Sequence, residues 1–343
     1  MKILGLSCGT KLGRVHMGML RGGNTEVLIK EALMGAEEVG VDVEFIRLLD
    51  LDIKPCKHCK RCLQREGGEC VQKDDSPFVQ EKYLECDGLI ISSPVYGTIP
   101  PGEVLVLAER AFGARADVAA AIERKKMAGK ENLAERGFFG PRASGREPKI
   151  DERVFKPRVG ALIGVGGASS YEWVHLTLPL LHNVMLPLQV AVVDHLQVRK
   201  ASFPGTVLLQ DKAIKRARKL GRNVAEALGT PFDDVKWKGD EPGSCPVCHS
   251  ELFIVGRKMP VMCAICGIYG TLKVDGGKVT VHFTKEEQKK SRVAIEGKRL
   301  HQVEILAVSK ELFPRINKIP AKLEKYKSYK SYTKPPKKSA KKS

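Results

Sequence analysis

Eight of the ten cysteines in this 343-residue chain lie in two tight groups, and this grouping restricts the fold more than any other feature. The first group has the spacing C-x2-C-x2-C-x7-C and consists of Cys56, Cys59, Cys62 and Cys70. The second has the spacing C-x2-C-x14-C-x2-C and consists of Cys245, Cys248, Cys263 and Cys266. Disulfide scaffolds spread their cysteines over the loops of short secreted chains, whereas close C-x2-C pairs are typical of metal ligands. Each group therefore predicts a metal centre.

The first group favours a 4Fe–4S cluster. Cysteines at successive two-residue intervals place three soft thiolates on one loop, as in ferredoxin-type ligation, and the fourth closes the cage. Gly67 and Gly68 allow the tight return of the chain to Cys70. The alternatives are zinc, which is more often held by two separate C-x2-C pairs, and redox or disulfide chemistry.

The second group consists of two C-x2-C knuckles within residues 245–283, a pattern that resembles a zinc ribbon. A structural Zn²⁺ there would supply folding energy that so small a core lacks. The alternative is a rubredoxin-like site with a single iron, because that site shares the knuckle spacing. His249 and His282 are expected at the surface rather than as ligands.

Strand-like apolar runs alternate with helical patterns in the first two thirds of the chain. The predicted strands are residues 2–7, 41–46, 88–92, 159–165 and 189–194. The predicted helices are residues 25–39, 102–112 and 211–228, the last followed by Gly229 as a C-cap. This alternation predicts an α/β fold, a doubly wound five-stranded parallel sheet with helices on both faces.

Composition divides the chain into four segments. Residues 1–228 are expected to form the sheet domain, with the cluster loop at 56–70 and a charged, Gly/Pro-punctuated insertion at 113–156. Residues 229–244 read as a linker. Residues 245–283 are expected to form the small metal-bound, β-rich domain, and residues 284–343 a helical segment followed by a basic tail.

The formal net charge of +18 is concentrated at the end of the chain. Residues 315–343 contain eleven Lys and Arg and one acidic residue, Glu324, which is a net charge of +10. A solvated, disordered tail is the simplest interpretation, and contact with nucleic acid, an acidic partner or anionic lipid is the alternative. No apolar run reaches membrane-spanning length and the N-terminus does not read as a secretory signal, so a cytoplasmic location is expected.

Three loops of small residues follow predicted strands and together predict a flavin site. A phosphate cradle is expected from backbone amides at a helix N-terminus with Ser7, Gly9, Asn24 and Thr25. A ring-binding loop is expected at Pro94, Val95, Tyr96, Gly97 and Thr98, and a third loop at Gly166 and Gly167. Ordinary turns, with Asn24 or Thr25 as a helix N-cap, are the structural alternative.

The run from Cys56 to Asp75, followed by the run from Asp87 to Gly97, resembles the iron–sulfur flavoproteins. These form a branch of the NAD(P)H-dependent FMN reductase group with a flavodoxin-like fold, and the resemblance covers residues 1–228. It implies FMN, one 4Fe–4S cluster per subunit and a homo-oligomer, dimer or tetramer, in which cluster and flavin face each other across a subunit boundary. NAD(P)H or ferredoxin is the implied electron donor.

The chain departs from the family pattern at the phosphate loop. Ser7 is separated from Asn24 by a longer stretch than usual, so the roles of Gly9 and Arg21 in holding the phosphate stay open. Asp74 and Asp75 match a family feature, and their simplest physical role is to cap the following helix.

These observations predict a flavin oxidoreductase that passes electrons between FMN and the cluster and reduces a small acceptor. The first alternative is a dedicated electron carrier between a ferredoxin-like donor and a partner enzyme. The second is a protein held on nucleic acid or in a complex by its zinc ribbon and basic tail. An open space above the flavin favours the enzyme, and a closed pocket favours the carrier.

Overall fold

The computed structural model describes residues 1–9, 23–111, 115–127, 149–241 and 243–329. Arg21, most of the predicted insertion and the last part of the basic tail lie outside the described residues. Residues Met1–Leu300 form one compact unit and His301–Ser343 a second. In the part of the chain that is described, no helix has the length and apolar character needed to cross a bilayer.

Five parallel strands form the main sheet in the order β2-β1-β3-β4-β5. They are β1 (Lys2–Ser7), β2 (Asp42–Arg47), β3 (Gly88–Pro94), β4 (Arg158–Val165) and β5 (Val190–Val198). This is the flavodoxin-like order, in which the first strand lies between the second and third. The predicted fold class is therefore confirmed.

Ten helices are present in the described ranges. They are α1 (Gly23–Glu37), α2 (Arg61–Gln64), α3 (Ser76–Glu85), α4 (Gly102–Ala111), α5 (Val118–Met127), α6 (Thr177–Met185), α7 (Asp211–Ala227), α8 (Lys285–Lys289), α9 (Ile295–Leu312) and α10 (Ile319–Ser328). Successive side chains along each strand point to opposite faces of the sheet and form two hydrophobic cores, one on each face. Ile3 and Ile90 pack with α1 and α7 on one face, while Leu4 and Leu89 pack with α3, α4 and α6 on the other.

A small antiparallel sheet follows the main sheet. Its strands are β6 (Phe253–Ile254), β7 (Val261–Cys263), β8 (Tyr269–Asp275) and β9 (Lys278–His282), paired in chain order. Gly276 and Gly277 close the β8–β9 hairpin with φ values of 53° and 78°, as a type I′ turn requires. The cysteines of the second group pack with Ile265, Ile268 and Phe283 in a core of their own. The predicted small β-rich segment with its four cysteines is thereby confirmed as an antiparallel sheet.

The structure differs from the sequence expectation mainly in two helices, α5 and α6, which periodicity did not predict, whereas α3 is the helix expected after Asp75. Helix α5 lies inside the charged stretch interpreted as an insertion, yet its Val118 and Ala121 are buried against Leu84 and Val154. Its apolar face consists mainly of alanines, which give only a weak hydrophobic signal. The basic tail is helical as far as Ser328, beyond the start of the segment expected to be disordered.

Candidate flavin and metal sites

The ends of β1, β3 and β4 meet at one edge of the sheet. Ser7 pairs with Ser92 and Pro94 with Val165 in the parallel register, and the amide of Val95 donates to the carbonyl of Val165 at 2.9 Å. The amide of Cys8 donates to the carbonyl of Ser92 at 2.8 Å. All three predicted loops therefore leave the sheet side by side, where open α/β sheets bind their ligands.

The phosphate end of this edge contains a buried hydroxyl without a partner. Ser7 is 1% exposed, and its Oγ makes no hydrogen bond to any described residue. Helix α1 begins at Gly23, and Thr25, in its first turn, is also buried. A buried hydroxyl without a partner costs free energy, so a ligand oxygen at this position would remove a penalty.

Asn24 has a role that the sequence did not reveal. Its Nδ2 donates to the carbonyls of Ala201 and Phe203 at 3.0 and 2.8 Å, and its Oδ1 accepts from the amide of Val207 at 3.2 Å. The side chain thus fixes the loop after β5 against the start of α1. In the sequence, the position of Asn24 near the start of a helix indicates only an N-cap. No local pattern identifies partners 177 or more residues away.

The predicted ring-binding loop forms a tight turn with an open outer side. Tyr96 and Ile99 exchange backbone hydrogen bonds at 2.8 and 3.4 Å, and the two residues between them, Gly97 and Thr98, have φ values of 56° and 77°. These are the dihedral angles of a type I′ turn. A Cβ placed on Gly97 would have no heavy atom of the described residues within 4 Å, and Tyr96 is 48% exposed. The turn therefore leaves room for a flat ring.

The third loop is held closely by the segment after β5. A Cβ on Gly166 would overlap Cγ1 of Val174, and one on Gly167 would lie 3.0 Å from Cβ of Ser202. The amide of Ala201 donates to the carbonyl of Gly166 at 3.0 Å. These glycines are needed for close packing, whichever ligand lies beside them. Together with the free hydroxyl of Ser7 and the open turn at Gly97, this edge fits a phosphate joined to a planar ring system, as in FMN.

The cysteines of the first group lie on an irregular loop around α2. Cys56 and Cys59 are exposed, while Cys62 and Cys70 are partly buried. The amides of His58 and Gln72 donate to the sulfurs of Cys56 and Cys70, both at 3.4 Å. Amide hydrogen bonds to sulfur are one of the ways in which proteins stabilise and tune iron–sulfur ligands.

Two buried arginines hold this loop in place through hydrogen bonds to its backbone. Arg110 of α4 is 3% exposed, bonds to the carbonyl of Lys54 at 2.7 Å and forms an ion pair with Asp74 at 2.6 Å. Arg124 of α5 is 2% exposed and donates to the carbonyls of Arg65, Glu66 and Lys149. Neither role could be recognised in the sequence, because both arginines lie on helices outside the loop.

The electrostatics of this loop suit an anionic centre. Burial acts to lower the pKa of Arg110, but Asp74 and the nearby Cys70 and Cys56 reverse the shift, and the pKa lies above its usual value. Burial lowers the pKa of Arg124, against the effects of Glu69 and Cys62. Two buried guanidinium groups, one of them paired with Asp74, therefore lie within electrostatic reach of the thiols, and a cluster with four thiolates carries net negative charge. The donor set fits a 4Fe–4S cluster.

The two aspartates after the loop cap α3 only in part. Asp74 Oδ1 accepts from the amide of Ser76 at 3.1 Å, as expected, but its main partner is Arg110. Asp75 occupies the N-cap position without a side-chain capping bond. It instead accepts from the amide of Asp52 at 2.7 Å and so closes the base of the loop.

The second cysteine group is assembled as a metal site. Cys245, Cys248, Cys263 and Cys266 are buried, and their sulfurs all lie within 4.8 Å of one another. Two sulfur–sulfur distances are 3.7 and 3.5 Å, close to the roughly 3.8 Å edge of a tetrahedron with metal–sulfur bonds of 2.3 Å. Mutual hydrogen bonds among the four thiols lower the pKa of Cys245 and Cys263 and raise that of Cys248, and burial raises the pKa of Cys266. His249, expected at the surface, lies instead against Trp237, with ring centroids 4.5 Å apart.

No other set of three or more candidate ligands in the described ranges meets so closely. The sulfurs of the first cysteine group therefore do not converge in this way. A single ion requires this convergence. A cubane does not, because its four ligands bind four different irons and their sulfurs lie further apart. The second group is therefore assembled as a site for one ion, and the first group is not.

Comparisons with known proteins agree with this geometry. Residues 1–129 match the NADPH-dependent FMN reductase family. The flavone synthase cfoJ of Aspergillus candidus is 32% identical over 311 residues, which are 88% of this chain and 87% of that protein. An iron–sulfur flavoprotein of Archaeoglobus fulgidus is 30% identical over 214 residues, 62% of this chain and 89% of that one. The solved structure of a flavone reductase superposes with a TM-score of 0.74 at 28% identity, covering 98% of this chain and 100% of that one.

The fold and site define an FMN-dependent oxidoreductase. The chain belongs to the iron–sulfur flavoprotein family, within the NADPH-dependent FMN reductase group. Both the predicted family and the predicted enzyme class are confirmed.

Proposed function

We propose that this protein exchanges a hydride between FMN and a flavone-type aromatic ketone. Bound FMN supplies or accepts the hydride at its N5 atom. In the reducing direction the carbon–carbon double bond conjugated to the ring carbonyl gains one hydride and one proton, and NAD(P)H is the source of the electron pair. In the oxidising direction the same two hydrogens leave the substrate.

The observation that carries this proposal is how much of the chain each relative covers. The iron–sulfur flavoproteins of Archaeoglobus fulgidus and Methanocaldococcus jannaschii match only 62% and 60% of it. The proteins named flavone synthase and flavone reductase match 88% and 98%. One is named for forming a flavone and the other for reducing one. Their near end-to-end likeness supports a shared substrate class.

The open turn at Gly97 gives independent support for an enzyme rather than a closed electron carrier. Space beside Gly97 and the half-exposed Tyr96 let a second planar molecule approach the ring-binding loop. Ser7 and Thr25 would hold the phosphate end of FMN, and the turn from Tyr96 to Ile99 would support its ring. The turn's positive φ angles keep the backbone, rather than a bulky side chain, next to the ring.

Product identification tests the proposal. The FMN-loaded protein is incubated anaerobically with NADPH and apigenin as the probe flavone, and the products are separated and weighed. We expect a product heavier by two hydrogens, and the reverse change when naringenin is supplied with a quinone acceptor. Reduction of simple quinones without any change in either flavonoid would contradict the proposal.

We further propose that the 56–70 loop holds a 4Fe–4S cluster that exchanges single electrons with the flavin. The specific support is the pair of buried guanidinium groups, those of Arg110 and Arg124, that hold the backbone of this loop. Anaerobically purified protein is expected to contain about four iron and four sulfide per chain, with the EPR signal of a reduced cluster. Absence of iron would contradict this role and leave the hydride reaction untouched.

The remaining expectations from the sequence are also proposals. We propose Zn²⁺ at the second cysteine group, with a single iron as the alternative, and metal analysis distinguishes the two. A homo-oligomer and ferredoxin as an additional donor follow from the family resemblance, and a cytoplasmic location is a separate proposal. If residues 315–343 bind nucleic acid or an acidic partner, binding weakens steeply with salt and is lost when this segment is removed.

A further inference from the structure

The last described part of the chain carries large hydrophobic side chains that are exposed to solvent. Helix α9 continues into a short 3-10 segment, Phe313–Lys318, and then into α10. Residues 308–329, named here the C-terminal arm, contain eight large hydrophobic side chains that are each at least 43% exposed. Single exposed hydrophobic residues are normal, whereas a continuous row of them marks an interaction surface. The row consists of Val308, Leu312, Phe313, Ile316, Ile319, Leu323, Tyr326 and Tyr329.

The hydrophobic side chains of the arm recur at helical spacing. On α10, Ile319, Leu323 and Tyr326 stand at positions i, i+4 and i+7, which share one face of a helix. Leu312 and Ile316 precede them at intervals of three and four residues. The two prolines of the arm lie in the first turns of the 3-10 segment and of α10, where helices accept proline. The arm is therefore amphipathic, and its hydrophobic face is uncovered within the described part of the chain.

The polar positions of the arm are mainly basic. Residues 315–329 contain five Lys and Arg and one acidic residue, which is a net charge of +4. Arg315 pairs with Glu311 at 3.8 Å, and Lys327 pairs with Glu324 at 3.3 Å. The other three cations have no acidic partner among the described residues, and these are Lys318, Lys322 and Lys325. Unpaired positive charge thus lies directly beside the hydrophobic row.

Charge and hydrophobicity together select the occupant of this face. A second copy of the arm could cover the row, but it would bring its own positive charge against the first. Nucleic acid would neutralise the lysines and leave the aliphatic side chains in water, because contacts with phosphates need no apolar surface. A bilayer that contains anionic lipid offers negative headgroups above an apolar interior, so it complements both features at once.

We propose that the C-terminal arm binds peripherally to anionic lipid membranes. Its aliphatic side chains enter the boundary between headgroups and acyl chains, while the lysines extend their long stems to the charged headgroups. Tyr326 and Tyr329 suit the same depth, because tyrosine is enriched at membrane–water interfaces. The arm lies on the membrane and does not cross it. This surface belongs to no flavin loop, so the proposal is independent of the proposed reaction.

Vesicle binding by the FMN-loaded, full-length protein tests the proposal. Vesicles of equal parts phosphatidylcholine and phosphatidylserine should sediment the protein, and vesicles of phosphatidylcholine alone should bind it at least about 10-fold more weakly. Leu323→Asp should weaken binding to the anionic vesicles at least about 10-fold, because it removes an inserted apolar side chain and adds repulsion. Val279→Asp is the matched control, since Val279 is 58% exposed on β9, outside the arm, and it should bind as the wild type does.

Lys322→Gln tests the charge separately and should weaken binding about 3- to 5-fold. Lys273→Gln, at an exposed position of β8, is its control and should have no effect. Unfolding temperature and FMN content establish that each variant is folded, and Lys322→Gln decides the matter if Leu323→Asp is not.

Three results would overturn the proposal. The first is no binding to anionic vesicles, or equal binding by the wild type and Leu323→Asp. The second is tighter binding to duplex DNA than to anionic vesicles, which would assign the arm to nucleic acid. The third is a wild-type assembly that dissociates in Leu323→Asp during sedimentation without lipid, which would assign the arm to a second copy of the chain.

Discussion

The guanidinium of Arg110 lies 2.6 Å from a carboxylate oxygen of Asp74, and neither side chain is more than 3% exposed. Asp74 also accepts from the amide of Lys54 at 3.1 Å, while Arg110 donates to the carbonyl of the same residue at 2.7 Å. One buried ion pair therefore ties helix α4 to both ends of the cysteine loop. Four thiols on an exposed loop need such an anchor if they are to hold a rigid cluster.

Replacing Asp74 by Asn should destabilise the protein by about 3 kcal/mol, because the buried Arg110 loses its counter-charge. Burial acts to raise the pKa of Asp74, but the hydrogen bond from Arg110 reverses this and lowers the pKa below its usual value. The stabilisation by this carboxylate is therefore fully present above the unfolded-state pKa, about 3.9, and is lost as the pH falls through the folded-state value. Urea unfolding of both proteins at neutral and acidic pH measures the difference.

Asp50→Asn is the control for this experiment, since Asp50 pairs with Arg47 at 3.7 Å in a more exposed position. Its effect should stay within about 1 kcal/mol. An Asp74→Asn variant as stable as the control at neutral pH would show that the buried pair does not anchor the loop.

Ser7→Ala should change FMN affinity and stability in different ways. Without flavin, removal of a buried hydroxyl that has no partner is expected to leave the free energy of unfolding unchanged or to raise it. With FMN, loss of a hydrogen bond to the phosphate end should weaken binding about 3- to 10-fold. Chemical denaturation of the apoprotein and fluorescence titration of FMN give the two values. Equal FMN affinity in both proteins would remove Ser7 from the flavin site.

Gly166→Ala should destabilise the apoprotein by about 1–3 kcal/mol, because the added methyl overlaps Val174. Val174→Ala in the same chain should recover much of this loss, since it removes the overlapping methyl groups. A double-mutant cycle measured by urea unfolding gives the coupling energy, which we expect to be at least about 1 kcal/mol. Strict additivity of the two substitutions would mean that the loop after β4 does not pack in this way.

Substitutions in the two cysteine groups should have opposite consequences. Cys62→Ser is expected to lower the iron content and remove the cluster's EPR signal with little effect on unfolding, because Cys62 lies on a partly exposed loop. Cys263→Ser should leave that iron in place but destabilise the small sheet, whose core includes this cysteine. Cys86→Ala, which alters a cysteine outside both groups, should retain both metals. Loss of both metals from either single variant would contradict separate sites.

Local patterns were sufficient for the parallel sheet and for the convergence of Cys245 with Cys263, because alternating apolar runs and knuckle spacing are properties of neighbouring residues. They could not reveal that Asn24 holds the loop at Ala201, since this contact depends on the closed fold. Arg124 was missed for the same reason, because a buried polar side chain on a helix looks like any other until its partners are known. The meeting of the three loops at one edge could be predicted only because parallel strands place their ends together.

The central claim is that the flavin of this protein exchanges a hydride with a flavone-type substrate, and anaerobic single turnover tests it most directly. The FMN-loaded protein is reduced with one equivalent of NADPH, freed of excess nucleotide and mixed with apigenin, while flavin absorbance and product are followed together. We predict that the absorbance of oxidised flavin returns as apigenin gains two hydrogens, in equal amounts. Flavin that stays reduced with apigenin unchanged, yet is reoxidised at once by a one-electron acceptor, would contradict the claim and favour the electron carrier.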